Sequence, residues 1–508
     1  MDEPLEILGQ LPNLNIYTQI AVCFSVEDES SIPSIISTLN NGLERLTAAF
    51  PWIAGQVVNE GASGDSTGIF KIQPHEATPP LVIKDLRDDV SSPTMDAMKR
   101  AGFPFHMLDE SVVAARPTLP IDPALAGKPQ PVFIVQATFI QGGLILTFLG
   151  QHQAMDGVGQ GQIIDLLSKA CRNESFTDDE VAAGNLPRHD IIPLLEDYQS
   201  GPEVEPMMVS PPKKPSSAPA SCRWAYFDFS ASSLRALKST AMETVKSGYV
   251  TTDDAVTAFV WRSVSRARAP GLSPDEEIKL GRAVDVRGYL GVPQKFLGIV
   301  HNMTYNSSSL RHLVDAPLGE AARELRSKVD PRALSYSTRA FATVLDRSPD
   351  KRGFSFAGKF SLDKDLMISS WAKLGLYDQD FGLGLGKPES VRRPQFTPFE
   401  GLSYLMPKSR DGSIALAISL SDKDMGRLKE DQEWVKYAEY IAINVIQIVT
   451  ETPDMWFWAS GGKRRRLTRI QQVPPASSGR PETLGISLED LASLDGISAL
   501  RLELKKKR

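Results

Sequence analysis

Two hydrophobic periods alternate along this 508-residue chain, and the points where one gives way to the other mark out its elements. Residues 17–26 (YTQIAVCFSV) are a nearly continuous apolar run, which predicts a strand. From Ser34 to Phe50 the apolar positions Ile35, Leu39, Leu43 and Leu46 are spaced four, four and three apart. That spacing predicts one face of a helix, ended by Pro51. Short strands are expected at 68–73 and 81–84. Residues 132–140 and 144–150 predict two strands joined at Gly142-Gly143, a natural hairpin turn. After them, Ile163, Ile164, Leu166, Leu167 and Ala170 predict an amphipathic helix from Val158 to Arg172.

Residues 201–221 (GPEVEPMMVSPPKKPSSAPAS) have no period and are rich in Pro and Ser, as a linker is. Beyond it come a predicted strand at 223–229, a helix near 232–246, and a helix from Asp253 to Arg268 with Thr252 as its N-cap. Strands are expected again around 282–287 and 412–420, where Ile414, Leu416, Ile418 and Leu420 alternate. Strands and helices mix on both sides of the linker. The expected fold class is therefore α/β (α+β) in two lobes, at 1–200 and 223–445 with some strand exchange between them, with the linker at 201–222 and an atypical basic, disordered tail at 446–508.

Charge refines this picture. The net charge of −6 argues against a nucleic-acid binder. From Gly461 onward, however, Lys and Arg exceed Asp and Glu to give +6, which leaves −12 for the rest. A solvated tail is the plainest reading of such a run. Cys23, Cys171 and Cys222 have no metal-like spacing, so neither a zinc site nor a disulfide framework is expected. The acidic start MDEPLEILGQ lacks the pattern of a signal peptide, and no apolar stretch approaches the ~20 residues of a membrane span. A cytoplasmic protein is expected.

The candidate chemistry sits where the second hairpin strand ends. The apolar run stops at His152, and Asp156-Gly157 follows four residues later. A histidine there can face a cleft and remove a proton from an alcohol or amine near neutral pH. Of the 6 histidines, only His152 has this pattern, which chance would produce in about 2 per cent of such chains. A histidine that merely caps a strand, with Asp156 starting a turn, remains the alternative at this point.

A second signature lies at Asp380-Phe381-Gly382-Leu383-Gly384. Its alternating glycines are not followed by Lys-Ser/Thr, so a phosphate loop is a weak reading. Close backbone packing or a bulge suits them better. Together, His152-x-x-x-Asp156-Gly157 and Asp380-Phe-Gly-Leu-Gly384 resemble the paired motifs of the BAHD family of acyl-CoA-dependent acyltransferases. Ala48–Gly55, the run Ala283-Val284-Asp285-Val286-Arg287 and Ser369-Ser370-Trp371 agree with it. The likeness is strongest to the fungal branch and its trichothecene 3-O-acetyltransferases, and it extends over roughly residues 10–440. Leu383 replaces the usual Trp of the second motif.

The resemblance implies two chloramphenicol-acetyltransferase-like lobes with the active-site channel between them and His152 at its middle. It implies His152 as general base, and Trp371 Nε1–H and the Ser369 hydroxyl as donors to the oxyanion. A plain core role is the alternative for Trp371. It also implies structural duties for Asp156, paired with an arginine (best matched by Arg287), and for Gly157, Asp380 and Gly382. Thr251 and Thr252 are candidate contacts to coenzyme A. Acetyl-CoA or another acyl-CoA is expected as co-substrate, with no permanent cofactor and no metal. The acceptor is expected to be a small alcohol such as a trichothecene-type sesquiterpenoid, and the enzyme a monomer. A condensation-domain-like enzyme is disfavoured by Gln151, where that group has a first histidine. A non-catalytic metabolite binder is disfavoured by the intact motifs.

Overall fold

The apolar run at 17–26 is strand β1 (Tyr17–Ser25), buried along nearly its whole length. The computed structural model describes residues 2–120, 127–209 and 221–441, together with the backbone of 456–459 and 463–466. Helix α1 (Ile32–Ala49) follows β1 and buries Ile35, Leu39, Leu43 and Leu46, the stripe expected from their spacing. Next come β2 (Leu81–Asp85), then β3 (Phe133–Ile140) and β4 (Gly143–Gln151), which form the hairpin. Gly142 takes its turn at φ 72°, a conformation that costs glycine little. Helix α2 (Gly157–Cys171) leaves β4 through His152 and packs on α1. The packing is close: a Cβ on Gly42 of α1 would lie 2.3 Å from Cys171 Sγ.

The second half builds on β5 (Cys222–Phe229), α3 (Ala231–Met242) and α4 (Thr252–Arg268). Strands β6 (Glu277–Asp285), β7 (His301–Ser309), β8 (Leu366–Ser370), β9 (Ser390–Arg392), β10 (Leu402–Leu405) and β11 (Ile414–Ser421) follow. The seven-stranded sheet runs β7-β6-β8-β10-β11-β5, with Glu439–Tyr440 at its edge. The five-stranded sheet runs β9-β1-β4-β3-β2, so β9 leaves its own half of the chain to pair with β1, Val391 opposite Val22.

Three details differ from the sequence expectations, and one extends them. Strand β11 is found where its alternation places it, with all eight residues buried. Its large residues (Ile414, Leu416, Ile418, Leu420) face the helix-covered core, and Ala415 and Ala417 join the core shared with the first sheet. The α4 N-cap is Thr251 rather than Thr252, because its side chain and that of Asp254 form a reciprocal capping box. The strand expected at 282–287 ends at Asp285, and Arg287 opens a short helical turn. The linker is anchored where it begins. Val204 and Met207 are buried, and Met207 O accepts from Ser355 N at 2.8 Å. Its Pro/Ser-rich part, 210–220, lies outside the described residues, as does nearly all of the tail. There a two-stranded antiparallel pair, Trp456–Ala459 with Lys463–Arg466, is described by itself.

The α2 N-terminus has little room. A Cβ on Gly159 would sit 2.1 Å from the Leu297 carbonyl oxygen. Gly159→Ala should therefore lose about 1–3 kcal/mol of stability through overpacking, read as a lower urea midpoint at unchanged slope.

Candidate active site

Strand β4 hands over to α2 through a five-residue turn, and every position in it has an assigned task. His152 N donates to Ile16 O at 2.8 Å, continuing the ladder one step past the strand. Its ring Nδ1 lies 3.0 Å from Met155 O. A carbonyl only accepts, so Nδ1 carries the proton and Nε2 keeps the free lone pair. Burial pulls the His152 pKa below its ordinary value, against the Met155 hydrogen bond and Asp156, while Arg393 pushes the same way as burial. The ring is thus a neutral base at physiological pH.

Asp156 takes no part in that ring's hydrogen bonding. Its Oδ1 caps α2 by accepting from Gly159 N at 2.8 Å, and its Oδ2 accepts from Val300 N at 2.8 Å. Arg287 closes a two-pronged pair with it, Nη1 to Oδ2 at 2.9 Å and Nη2 to Oδ1 at 3.0 Å. Arg287 is fully buried and also donates to Asp285 and to the carbonyls of Phe296 and Gly298. Burial raises the Asp156 pKa, but the charge and hydrogen bonds of Arg287 outweigh it and hold the carboxyl below the usual range.

His152 opens on a cavity of about 1880 Å³ lined by both halves of the chain. Gly157, Ser369 and Trp371 are on its wall, as are Thr251 and Thr252. Trp371 is buried, and its Nε1 would stand 3.2 Å from a Cβ on Gly157, so a side chain at 157 would crowd that N–H. Ser369 lines the cavity, while the next residue, Ser370, is tied to Asp253 at 2.6 Å. Thr251 Oγ1 is committed to Asp254. Asp254 in turn pairs with Arg282 at 2.7 Å, so the acidic residues at this helix start are engaged.

Asp380 and Gly382 lie off the cavity wall. Asp380 Oδ1 accepts from Gly382 N at 2.9 Å, and its backbone oxygen accepts from Ser168 Oγ at 3.1 Å. Phe381 is buried against Phe24 and Phe148 of the first sheet. Gly382, Gly384 and Gly386 all have φ between 65° and 75°, so left-handed backbone is what these alternating glycines supply.

Residues 110–435 match the model of the Transferase family, and residues 16–171 match that of the trichothecene 3-O-acetyltransferase-like N-terminal domain. The chain belongs to the Transferase family. Among its relatives, O-acetyltransferase dmxR13 of Cryptosporiopsis sp. is 50% identical over 452 residues, covering 87% of this chain and 98% of that one. Trichothecene 3-O-acetyltransferase TRI101 of Fusarium sporotrichioides is 50% identical over 446 residues, covering 87% and 97%. In structure, F. graminearum TRI101 complexed with coenzyme A and deoxynivalenol superposes with a TM-score of 0.85 at 47% identity, covering 87% of this chain and all of that one. The two-lobed acyltransferase fold of this Transferase family member is thereby established.

Several residues at the site carry no motif. His301, at the start of β7, stacks on His152 with ring centroids 6.0 Å apart, and burial pushes it down to about 4. Arg393 and Tyr404 stand behind Trp371. Arg235, Lys238 and Arg326 gather on the same cavity wall as Thr252. The only available signal was position: Arg393 falls in Val391-Arg392-Arg393-Pro394, a short way past the second motif. Among the described residues, no group of three His, Cys, Asp or Glu could hold a metal. No helix there is long and apolar enough to cross a membrane.

Removing one half of the Asp156–Arg287 pair leaves the other charge buried alone. Asp156→Asn should therefore cost about 3–5 kcal/mol in denaturant unfolding. Because the folded pKa of Asp156 is depressed, its contribution is present above the unfolded value near 4 and fades as pH falls below it. Wild type and variant should accordingly converge in stability in acid.

Proposed function

We propose that this protein transfers the acetyl group of acetyl-CoA to a hydroxyl of a small alcohol, a trichothecene-type sesquiterpenoid or a related fungal metabolite. The observation that carries the reading is the tautomer of His152, locked by Met155 O so that the basic nitrogen is the one left free at a cavity walled by both lobes. The acceptor oxygen attacks the thioester carbonyl while Nε2 takes its proton. The resulting oxyanion is met by Trp371 Nε1–H, with the Ser369 hydroxyl as a second donor. As the tetrahedral intermediate collapses, the C–S bond breaks and the coenzyme A thiolate recovers the proton from His152. The relatives named O-acetyltransferases support the donor and the reaction, and the TRI101 structure holding coenzyme A and a trichothecene supports the pairing of substrates.

Thr252, Arg235, Lys238 and Arg326 would receive the coenzyme's phosphates, since they bring positive charge and a helix start to one wall. The protein would act in the cytoplasm as a monomer.

His152→Ala should lower acetyl transfer about 10²- to 10⁴-fold with little change in thermal stability. Mass spectrometry of products from a panel of sesquiterpenoid alcohols reads the loss, and full activity in the variant would refute the mechanism. In the wild type, the acidic limb of kcat/KM should lie below about pH 6.5, because burial keeps the imidazole neutral further into acid. The double charge reversal Arg235→Glu/Lys238→Glu should raise KM for acetyl-CoA at least about tenfold and leave KM for the alcohol nearly unchanged, an effect that weakens with added salt.

A further inference from the structure

One charge at the site has no ion-pair or hydrogen-bond partner. Arg393 is 2% exposed, lines the cavity, and its side chain meets no hydrogen-bonding or ion-pairing partner among the described residues. Its guanidinium carbon instead lies over three aromatic rings, 4.5 Å from the centroid of Phe396, 4.6 Å from Tyr404 and 5.6 Å from Trp371. Only the main chain of Arg393 is tied down, with its N and O both bonded to Tyr226 Oη. The acid whose titration it influences, Glu110, is already bound to Gln19 and to Thr118 N. Aromatic faces attract a cation at about 0.5–2 kcal/mol per contact, so the three rings offset a part of the several kcal/mol lost on leaving water without supplying a counter-charge. Elsewhere this fold closes its buried guanidinium groups with carboxylates or carbonyls, as at Arg287, Arg188 and Arg282. The exception faces the cavity.

We propose that Arg393 is the electrostatic positioning residue of the reaction. Acting across the cavity and through the indole beside it, its guanidinium adds to burial in disfavouring the imidazolium form of His152 before transfer and favours the negative charge that grows on the thioester oxygen during it. The proposal rests on the reading of His152 as general base. Three charged or titratable groups face that histidine: Asp156 at the start of α2, His301 on β7 and Arg393 after β9. Asp156, though paired with Arg287, still favours the imidazolium, and His301 is itself uncharged near neutral pH, so Arg393 is the one cation facing the histidine that acts in the same direction as burial. A cation beside Trp371 also draws electron density from the ring and makes its Nε1–H a better donor to an oxyanion. Tyr404 beneath the guanidinium and Tyr226 on the Arg393 main chain stay protonated because burial raises both.

The test compares wild type with Arg393→Met, Arg393→Lys and His152→Ala. Methionine fills similar space without charge, and replacing a buried unpaired charge in this way is neutral or stabilising. Arg393→Met should keep or raise Tm, lower kcat about 10- to 100-fold and change both KM values less than about threefold. Loss of a nearby cation favours imidazolium, so the acidic limb should move up by about 0.5 unit or more, while Arg393→Lys stays near wild type. A readout independent of any acceptor is the pH dependence of diethylpyrocarbonate modification, with the His152→Ala rate subtracted to isolate His152. An unmoved His152 titration in Arg393→Met overturns the proposal. So does a rise in acceptor KM at constant kcat, which would make Arg393 a substrate anchor, or a large fall in Tm, which would make it structural. Full activity in His152→Ala is a separate outcome that overturns the underlying reading of the base.

Discussion

The buried pair of Asp156 and Arg287 is the constraint on which the site depends. Either ion alone in this interior would cost several kcal/mol, and the pair is tolerable because every valence is used. Asp156 accepts from Gly159 N, Val300 N and both Arg287 prongs. Arg287 spends all five donors on Asp156, Asp285, Phe296 O and Gly298 O. One knot thus joins the start of α2, the end of β6 and the segment before β7. Those are the points from which His152 and His301 project. It also explains why the strand stops at Asp285: Arg287 must leave the sheet to reach across the lobes.

A second buried pair holds the same segment from its other side. Glu6 accepts from Arg188 at 2.8 Å and from Ile299 N at 2.9 Å, and a Cβ on Gly298 would lie 1.5 Å from its Oε1. Arg188 in turn lies 4.0 Å over the Trp52 ring. Residues 296–300 are therefore clamped between two carboxylates from distant parts of the first lobe. With so much enthalpy committed around it, the His152 turn has little freedom to reorient, which is what a base aimed at one acceptor atom requires.

Local periodicity made much of this legible in the sequence. The stripe of Ile35, Leu39, Leu43 and Leu46, the hairpin at Gly142 and the helix after Gly157 are all short-range patterns, and each follows from which side chains can share a face. His152 and Asp156 were legible as residues, whereas the capping duty of Asp156 emerged only with its neighbours in space. Contacts between distant segments left no such trace. Glu6 looked like one acid in an acidic start, and β9 is too short to signal that it crosses to the other sheet. Strand β11 alternates large with small rather than apolar with polar, so both its faces are buried against different cores. Alternation reports a difference between two faces, and here that difference is side-chain size.

The same distinction separates the charges that hold the site from those that act in it. Asp156 is paired with Arg287 and Glu6 with Arg188, so each of these charges has its opposite in contact with it. The histidines on the cavity wall, His152 and His301, are left neutral, and Arg393 lines it without a carboxylate partner. A neutral base is needed before proton transfer, and a cation is useful only once negative charge appears. An interior with every charge paired would be more stable, yet it would respond equally to ground state and transition state. Leaving one guanidinium without its carboxylate makes the cavity most favourable at the moment the thioester oxygen becomes an anion.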